Sequence, residues 1–210
     1  MRNRVTVGLF LWLTLLVGCS DPSANKPKAS VGNAAESGAR KTGGETLTIS
    51  PENSKVDFVA SKVTRTHNGS FKQFDGTIDL INNSAEQSVV AINIDTASVT
   101  TDEEQLTGHL KTVDFFDVAR YPKATFVSTR IEPNTANGAT HTVTGNFDLH
   151  GVKKSISFPA NIQIAPDSVS VNAEFSINRK DFGINYPGKA DDLIRDGVVI
   201  KLSSKVSRKK

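Results

Sequence analysis

The feature that most constrains this chain is a hydrophobic period of two. Val143, Gly145, Phe147 and Leu149 alternate with Thr142, Thr144, Asn146 and Asp148, which gives that segment one apolar face and one wet face. The alternation returns in Ile156, Phe158, Ala160, Ile162 and Ile164, in Val169, Val171, Ala173, Phe175 and Ile177, and in Val198, Ile200 and Leu202. Residues 56–63, 74–80, 90–94 and 124–131 read the same way, less cleanly. Turn residues separate the runs: Asn68-Gly69, Asn82-Asn83, the stretch 133–138, His150-Gly151, Pro166-Asp167 and Pro187-Gly188. This spacing predicts hairpins, and so an all-β antiparallel domain of about eight strands. Strands of this kind bury their apolar faces either as two packed sheets or as one sheet closed into a barrel, and periodicity alone does not choose. One segment breaks the pattern. Thr101-Asp102-Glu103-Glu104 has the form of a capping box, with Leu106 and Leu110 behind it, and predicts a short helix over about 102–111.

The beginning of the chain carries a different signal. Arg2 and Arg4 precede an apolar run from Val5 to Val17, including Phe10, Leu11, Trp12, Leu13, Leu15 and Leu16. At about 13 residues such a run spans only about 20 Å as a helix, short of the roughly 30 Å of a bilayer core, so it reads as an export signal. It ends in Leu16-Val17-Gly18-Cys19, which resembles a bacterial lipoprotein box and points to Cys19 as a lipidation site. Each buried acyl methylene contributes about 0.8 kcal/mol, so two or three chains hold a protein on a bilayer. The expected organisation is a signal peptide over 1–18, a lipidated flexible tether over 19–45, a folded domain over 46–206 and a basic tail over 207–210. The tether is expected because residues 20–45 contain almost no large apolar side chain. Ser20 after the cysteine, by resemblance to lipoprotein sorting, favours an envelope protein anchored at the outer membrane and facing the periplasm.

Charge and motifs narrow the function. Without Arg2 and Arg4 the 25 basic residues fall to 23 against 22 acidic ones, too even a balance for a nucleic-acid-binding face. The single cysteine excludes an internal disulfide framework. There is no Gly-x-Ser-x-Gly elbow, phosphate loop or dinucleotide fingerprint, hence no expected cofactor and no expected enzyme activity. His67, His109, His141 and His150 lie far apart in sequence; the rival expectation is a small metal-dependent or acid-base enzyme using His67, His109 or His141. A second rival is a structural envelope module whose barrel is filled by its own side chains.

Residues 62–76, with His67, Gly69, Phe71, Phe74 and Gly76, are followed by Leu110, Asp114-Phe115-Phe116-Asp117, Tyr121-Pro122, Ala124 and Phe126. Later come Val143-Thr144-Gly145, His150-Gly151-Val152-Lys153-Lys154, Ile177-Asn178-Arg179-Lys180-Asp181-Phe182-Gly183 and Asp196-Gly197-Val198. This ordered series resembles the YceI-like family of polyisoprenoid-binding proteins over the whole folded domain. The resemblance implies an eight-stranded lipocalin-like antiparallel barrel with a short inserted helix, holding a long isoprenoid or other apolar lipid in its cavity.

Ten phenylalanines remain once Phe10 is removed with the leader, which also takes the only tryptophan. A phenylalanine and aliphatic lining makes no directional demand and suits a hydrocarbon chain. The candidate ligand-binding residues are Phe58, Phe71, Phe74, Phe115, Phe126, Phe147, Phe158, Phe175 and Phe182, with Arg179 and Asn185 as candidates for a polar head group. Burying several hundred Å² of hydrocarbon at about 25 cal/mol per Å² gains roughly ten kcal/mol before entropic costs. The expected partners are therefore an apolar lipid and, through the anchor, a membrane; an oligomer is compatible with the sequence.

Overall fold

The structure is a computed structural model and describes residues 21–35 and 43–208. The signal peptide and Cys19 lie outside the described residues, as do Lys209 and Lys210. The strands are β1 (Ser30–Asn33), β2 (Glu45–Ile49), β3 (Ser54–Ser61), β4 (Thr66–Phe71), β5 (Phe74–Ile81), β6 (Ser84–Asp95) and β7 (Val99–Thr101). Helix α1 (Glu104–Leu110) follows, then β8 (Lys123–Pro133), β9 (His141–Leu149), β10 (Val152–Ile164), β11 (Ser168–Asn178), the short β12 (Gly188–Lys189) and β13 (Asp192–Leu193), and β14 (Gly197–Ser207).

Hydrogen bonding runs in the order β2-β5-β6-β8-β9-β10-β11-β14-β3-β4-β7, antiparallel throughout. Chain continuity bends this path into a ring. β4 runs into β5 and β6 into β7, and the two long strands stay paired across the bend, where Lys72 N–H donates to Ser98 O and Asp95 N–H to Gln73 O. β2 runs into β3, and β14 flanks both: it pairs with β3, then its Lys205 N–H reaches Asn53 O in the bend between them. Eight positions result, three of them occupied by two strands each. The expected antiparallel barrel thus forms, built from twelve paired strands at eight wall positions rather than from eight strands, and the alternative of two packed sheets does not. Closure leaves no long edge exposed. The period-two apolar residues point inward, with Ile156, Phe158 and Ala160 on β10 and Ala173, Phe175 and Ile177 on β11 all buried.

The stretch expected to be a flexible tether is a correction. Residues 21–35 lie on the barrel and complete its wall. β10 and β11 pair only between residues 161–164 and 169–172, and then diverge. The gap is filled by the N-terminal segment. β1 pairs antiparallel with β10 from Ser30 opposite Ser157 to Asn33 opposite Lys154. On the other side Ala29 N–H donates to Ser176 O (2.8 Å) and Ser176 N–H to Pro27 O (2.8 Å). Ala29, 3% exposed, joins the core. Beyond β1, Asn146 clamps Ala35 with both amide groups, accepting from its N–H and donating to its carbonyl. The physical reason is that diverging strands leave unpaired backbone groups, which any extended segment can satisfy whatever its side chains.

The tail is corrected in the same sense. Ser207 ends β14, and Arg208 ties three turns together at the barrel end farther from α1. Its Nε pairs with Glu45 (2.8 Å), Nη1 donates to Ala165 O (3.0 Å) and Nη2 donates to Asn83 Oδ1 (2.7 Å). Turns form at Asn82-Asn83 and His150-Gly151 with the positive φ values that tight hairpins require. The expected turn at Asn68-Gly69 is instead mid-strand in β4. There Gly69 sits opposite Phe58, and a Cβ at position 69 would fall within the Phe58 ring. The glycine is a slot for an aromatic side chain. Helix α1 begins at Glu104 with Glu103 as its cap residue and no side-chain cap, so the capping box does not form; the Thr107 hydroxyl accepts the N–H of Thr101 instead.

Removing residues 20–35 should lower stability by a few kcal/mol and expose the amides of residues 154–157 and Ser176, read by hydrogen exchange. Lys26 holds the Glu174 carboxyl below its usual range by a direct hydrogen bond (2.8 Å). A depressed carboxylate stabilises the folded state above its unfolded pKa and ceases to do so as pH falls through its folded one. Exchange at the segment should therefore accelerate, relative to the β8–β9 ladder, below about pH 4.

Candidate functional site

The inward faces of the strands do not fill the ring. A cavity of about 150 Å³ runs up to the end where α1 and the 184–196 loop sit. Its wall combines Phe58, Phe71, Phe126, Phe147, Phe158 and Phe175 with aliphatic side chains of β6, β10, β11 and β14. Leu110, Phe115, Phe116, Ile184 and Ile194 cap it from the end loops. Asp57 and Arg179 are its only charged residues among the described ones. A second hollow of about 70 Å³ continues toward the other end, lined by Phe74, Ile78, Val90, Ile131, Val143 and Val171 among others. Val56, Ile92, Phe126, Phe158 and Leu202 border both spaces, and the Phe126 and Phe158 rings, 5.7 Å apart, form a waist between them.

Ring placement explains why the hollow exists. Phe126 lies over Gly145 as Phe58 lies over Gly69, each ring sitting where a Cβ would otherwise be. Phe158 stacks on Phe175 at 4.1 Å with an interplanar angle of 11°. Aromatic side chains laid along the wall leave open space on either side of the Phe126–Phe158 waist. The lining on β14 extends from Val198 to Ser204, about 20 Å along the strand. Enclosed apolar cavities of this size stay dry, and unfilled space deprives the lining side chains of packing partners.

Of the residues singled out from sequence, Phe58, Phe71, Phe115, Phe126, Phe147, Phe158, Phe175 and Arg179 line the main cavity, and Phe74 lines the smaller one. Phe182 lines neither. It is fully buried behind the wall, its ring edge-on to Phe147 at 5.2 Å. Asn185 is exposed and off the lining. Cys19 lies outside the described residues. The residues missed are mostly aliphatic, such as Ile92, Ile184 and Ile194. Ile200 and Leu202 could have been found, because they sit on the inward period of a segment already read as a strand.

Arg179, expected as a candidate for a polar head group, is buried and bonded within the protein. It is 5% exposed, and its guanidinium donates to Ile184 O (2.8 Å), Arg195 O (3.2 Å), Ile194 O (3.4 Å) and Asp196 Oδ1 (3.2 Å). Burial lowers its pKa somewhat, opposed by the nearby Asp196 carboxylate. It staples the 184–196 loop over the cavity. The histidines scatter. His67 is buried against Asp102 (2.9 Å), His109 bonds Asp114 (2.8 Å) with its ring edge-on to Phe115, His141 faces Glu86 (3.5 Å), and His150 packs on Tyr121 (4.7 Å). No three metal-ligating side chains gather among the described residues.

Fold and cavity together define a lipocalin-like barrel with a dry internal hollow. The sequence pattern of the YceI-like domain matches residues 47–206, and the chain belongs to that family. It is 34% identical over 132 residues to a UPF0312 protein of Pseudomonas putida strain W619, covering 60% of this chain and 68% of the relative. A UPF0312 protein of Pseudomonas savastanoi pv. phaseolicola is 33% identical over 146 residues, covering 66% and 75%. Among solved structures, BcnA of Burkholderia cenocepacia superposes with a TM-score of 0.64 at 26% identity over 74% of this chain and 96% of that one. A polyisoprenoid binding domain from Saccharophagus degradans shares the fold, with a TM-score of 0.62 at 20% identity over 80% and 100%.

Arg179→Gln should lower stability by about 2–4 kcal/mol in urea unfolding, because several buried carbonyls lose a donor that glutamine cannot replace. It should also speed proteolysis of the 184–196 loop while sparing the β-sheet circular dichroism.

Proposed function

We propose that this protein is an envelope lipoprotein that holds one long apolar molecule of isoprenoid type, such as a quinone tail or polyprenyl chain, without chemical turnover. The observation that carries the reading is the pair of end-to-end hollows walled by aliphatic and phenylalanine side chains. A wall with no free directional polar group selects for hydrophobicity and cross-section rather than for a pattern of hydrogen bonds. Occupancy would recover the dispersion contacts that the empty wall lacks. The description of the Saccharophagus degradans domain as polyisoprenoid binding supports the same ligand class. The lipoprotein box ending in Cys19 supports attachment to the envelope, with the domain facing the periplasm at the outer membrane.

Head-group selection falls outside the staple. With Arg179 committed to loop carbonyls, a polar head would emerge among the loops at the α1 end, and the barrel would discriminate chains rather than heads. The Phe126–Phe158 waist divides the path, so a chain longer than the first hollow must displace one of these rings to enter the second.

Protein purified from its native membrane should release a prenyl lipid on organic extraction, and native mass spectra before extraction should show one such molecule per chain. A barrel that is always empty and retains no added prenyl alcohol would refute the function. Ala124 is buried on the cavity wall, so Ala124→Leu should fill part of the hollow. The expected result is an empty protein about 0.5–2 kcal/mol more stable, with prenyl binding weakened at least tenfold.

A further inference from the structure

Among the described residues four large hydrophobic side chains are exposed: Val63, Val113, Val127 and Leu193. Three of them stand at one end of the barrel. Val63 N–H donates to Leu193 O (3.1 Å), and their neighbours Lys62 and Ile194 form a β-bridge, so Val63 and Leu193 sit on one patch, beside cavity-lining Ile194. Val113, 76% exposed, is two residues from Phe115, which lines the cavity and packs its ring on Tyr186 of the 184–196 loop at 5.4 Å. The apolar residues therefore surround the end of the barrel where Leu110, Phe115, Phe116, Ile184 and Ile194 cap the larger hollow. Val127 alone is on the side wall, in β8.

The described chain begins at this same end. Asp21 lies 3.9 Å from Arg195, whose N–H donates to Ser61 O at the top of β3. Ser23 packs on Gly197, where a Cβ would collide with it, and its N–H and hydroxyl both donate to Asp21 Oδ1. From there the segment runs down the wall through Lys26 and Glu174 into the gap beside β10. Covalent geometry keeps the Cα of Cys19 within about 7 Å of that of Asp21. A free linker over residues 20–45 would have let the barrel wander roughly 28 Å from its anchor in any orientation. The packed segment removes that freedom.

We infer that the α1 end of the barrel docks on the bilayer, with Val63, Val113 and Leu193 at the lipid interface and the capped end of the cavity facing the membrane. This rests on the proposed lipid anchor at Cys19. A phospholipid surface is the occupant, because the attachment point of the chain and the exposed apolar side chains fall at one end, around the loops that cap a hydrocarbon-walled hollow. An apolar ligand then passes between bilayer and barrel without crossing bulk water, and the loop stapled by Arg179 lies on its path.

The mature chain after Cys19 contains no tryptophan, so single substitutions report position without background. Val113→Trp and Leu193→Trp mark the proposed interface, and Glu52→Trp, in the bend between β2 and β3, marks the wall away from it. The acylated full chain is placed in phosphatidylethanolamine–phosphatidylglycerol vesicles whose acyl chains carry bromine near the head group. Unacylated forms of the same variants, made without residues 1–18 so that Trp12 is absent and the Cys19 thiol is free, are coupled through that thiol to maleimide lipid in identical vesicles. The expected result is blue-shifted emission at 113 and 193, quenched at least about threefold more than at 52, in both preparations. Equal quenching at 113, 193 and 52, or stronger quenching at 52, overturns the docking. Absence of acyl mass on Cys19 in the purified chain defeats the anchor reading instead, and the thiol-coupled preparation still decides the orientation.

Discussion

Closure of the backbone hydrogen-bond ring is the constraint on which the rest depends. A strand with one apolar face needs that face covered and both its edges paired, and eight positions arranged in a circle meet both demands. The chain reaches that circle unevenly. Three positions are shared by bent, broken strands, and where β10 and β11 splay apart an N-terminal segment is recruited as wall. The barrel is consequently both closed and wide enough inside to remain hollow.

The hollow follows from how aromatic rings are laid. Gly69 and Gly145 let Phe58 and Phe126 lie flat against the sheet instead of projecting to the axis. Phe182, which might have filled space, is held behind Phe147. The same ten phenylalanines packed centrally would give a solid core. Here nine of them give a lining, and the outward charges of the barrel have no access to it. Arg179 illustrates the rule from the opposite side: a cation borders the cavity, yet its hydrogen bonds are turned toward the carbonyls of the loop it holds.

Much of this was legible in sequence. The strands at 142–149, 155–164 and 169–178 follow from strict alternation, and the Asn82-Asn83 and His150-Gly151 turns from residues that tolerate positive φ. Most of the phenylalanine lining was legible for the same reason, since inward periodicity selects it. The N-terminal wall segment was not, because residues 21–35 offer only Ala29, Val31 and a few small side chains, and composition is silent about backbone pairing. Asn68-Gly69 misled because the glycine serves a neighbouring ring rather than a turn. Arg179 and Asn185 could not be sorted either. The bonding of Arg179 depends on carbonyls at positions 184, 194 and 195, which meet only in the folded loop, and Asn185 is left exposed.

The central claim is that a hydrocarbon chain lies in the dry hollow. The most direct measurement is calorimetric titration of delipidated protein with a prenyl alcohol at several temperatures, set beside Ala124→Leu. Burial of apolar surface in the cavity requires a negative heat-capacity change of binding, lost or strongly reduced in the variant. Binding with no heat-capacity change, or identical binding when the cavity is filled, would place the ligand elsewhere and contradict the account.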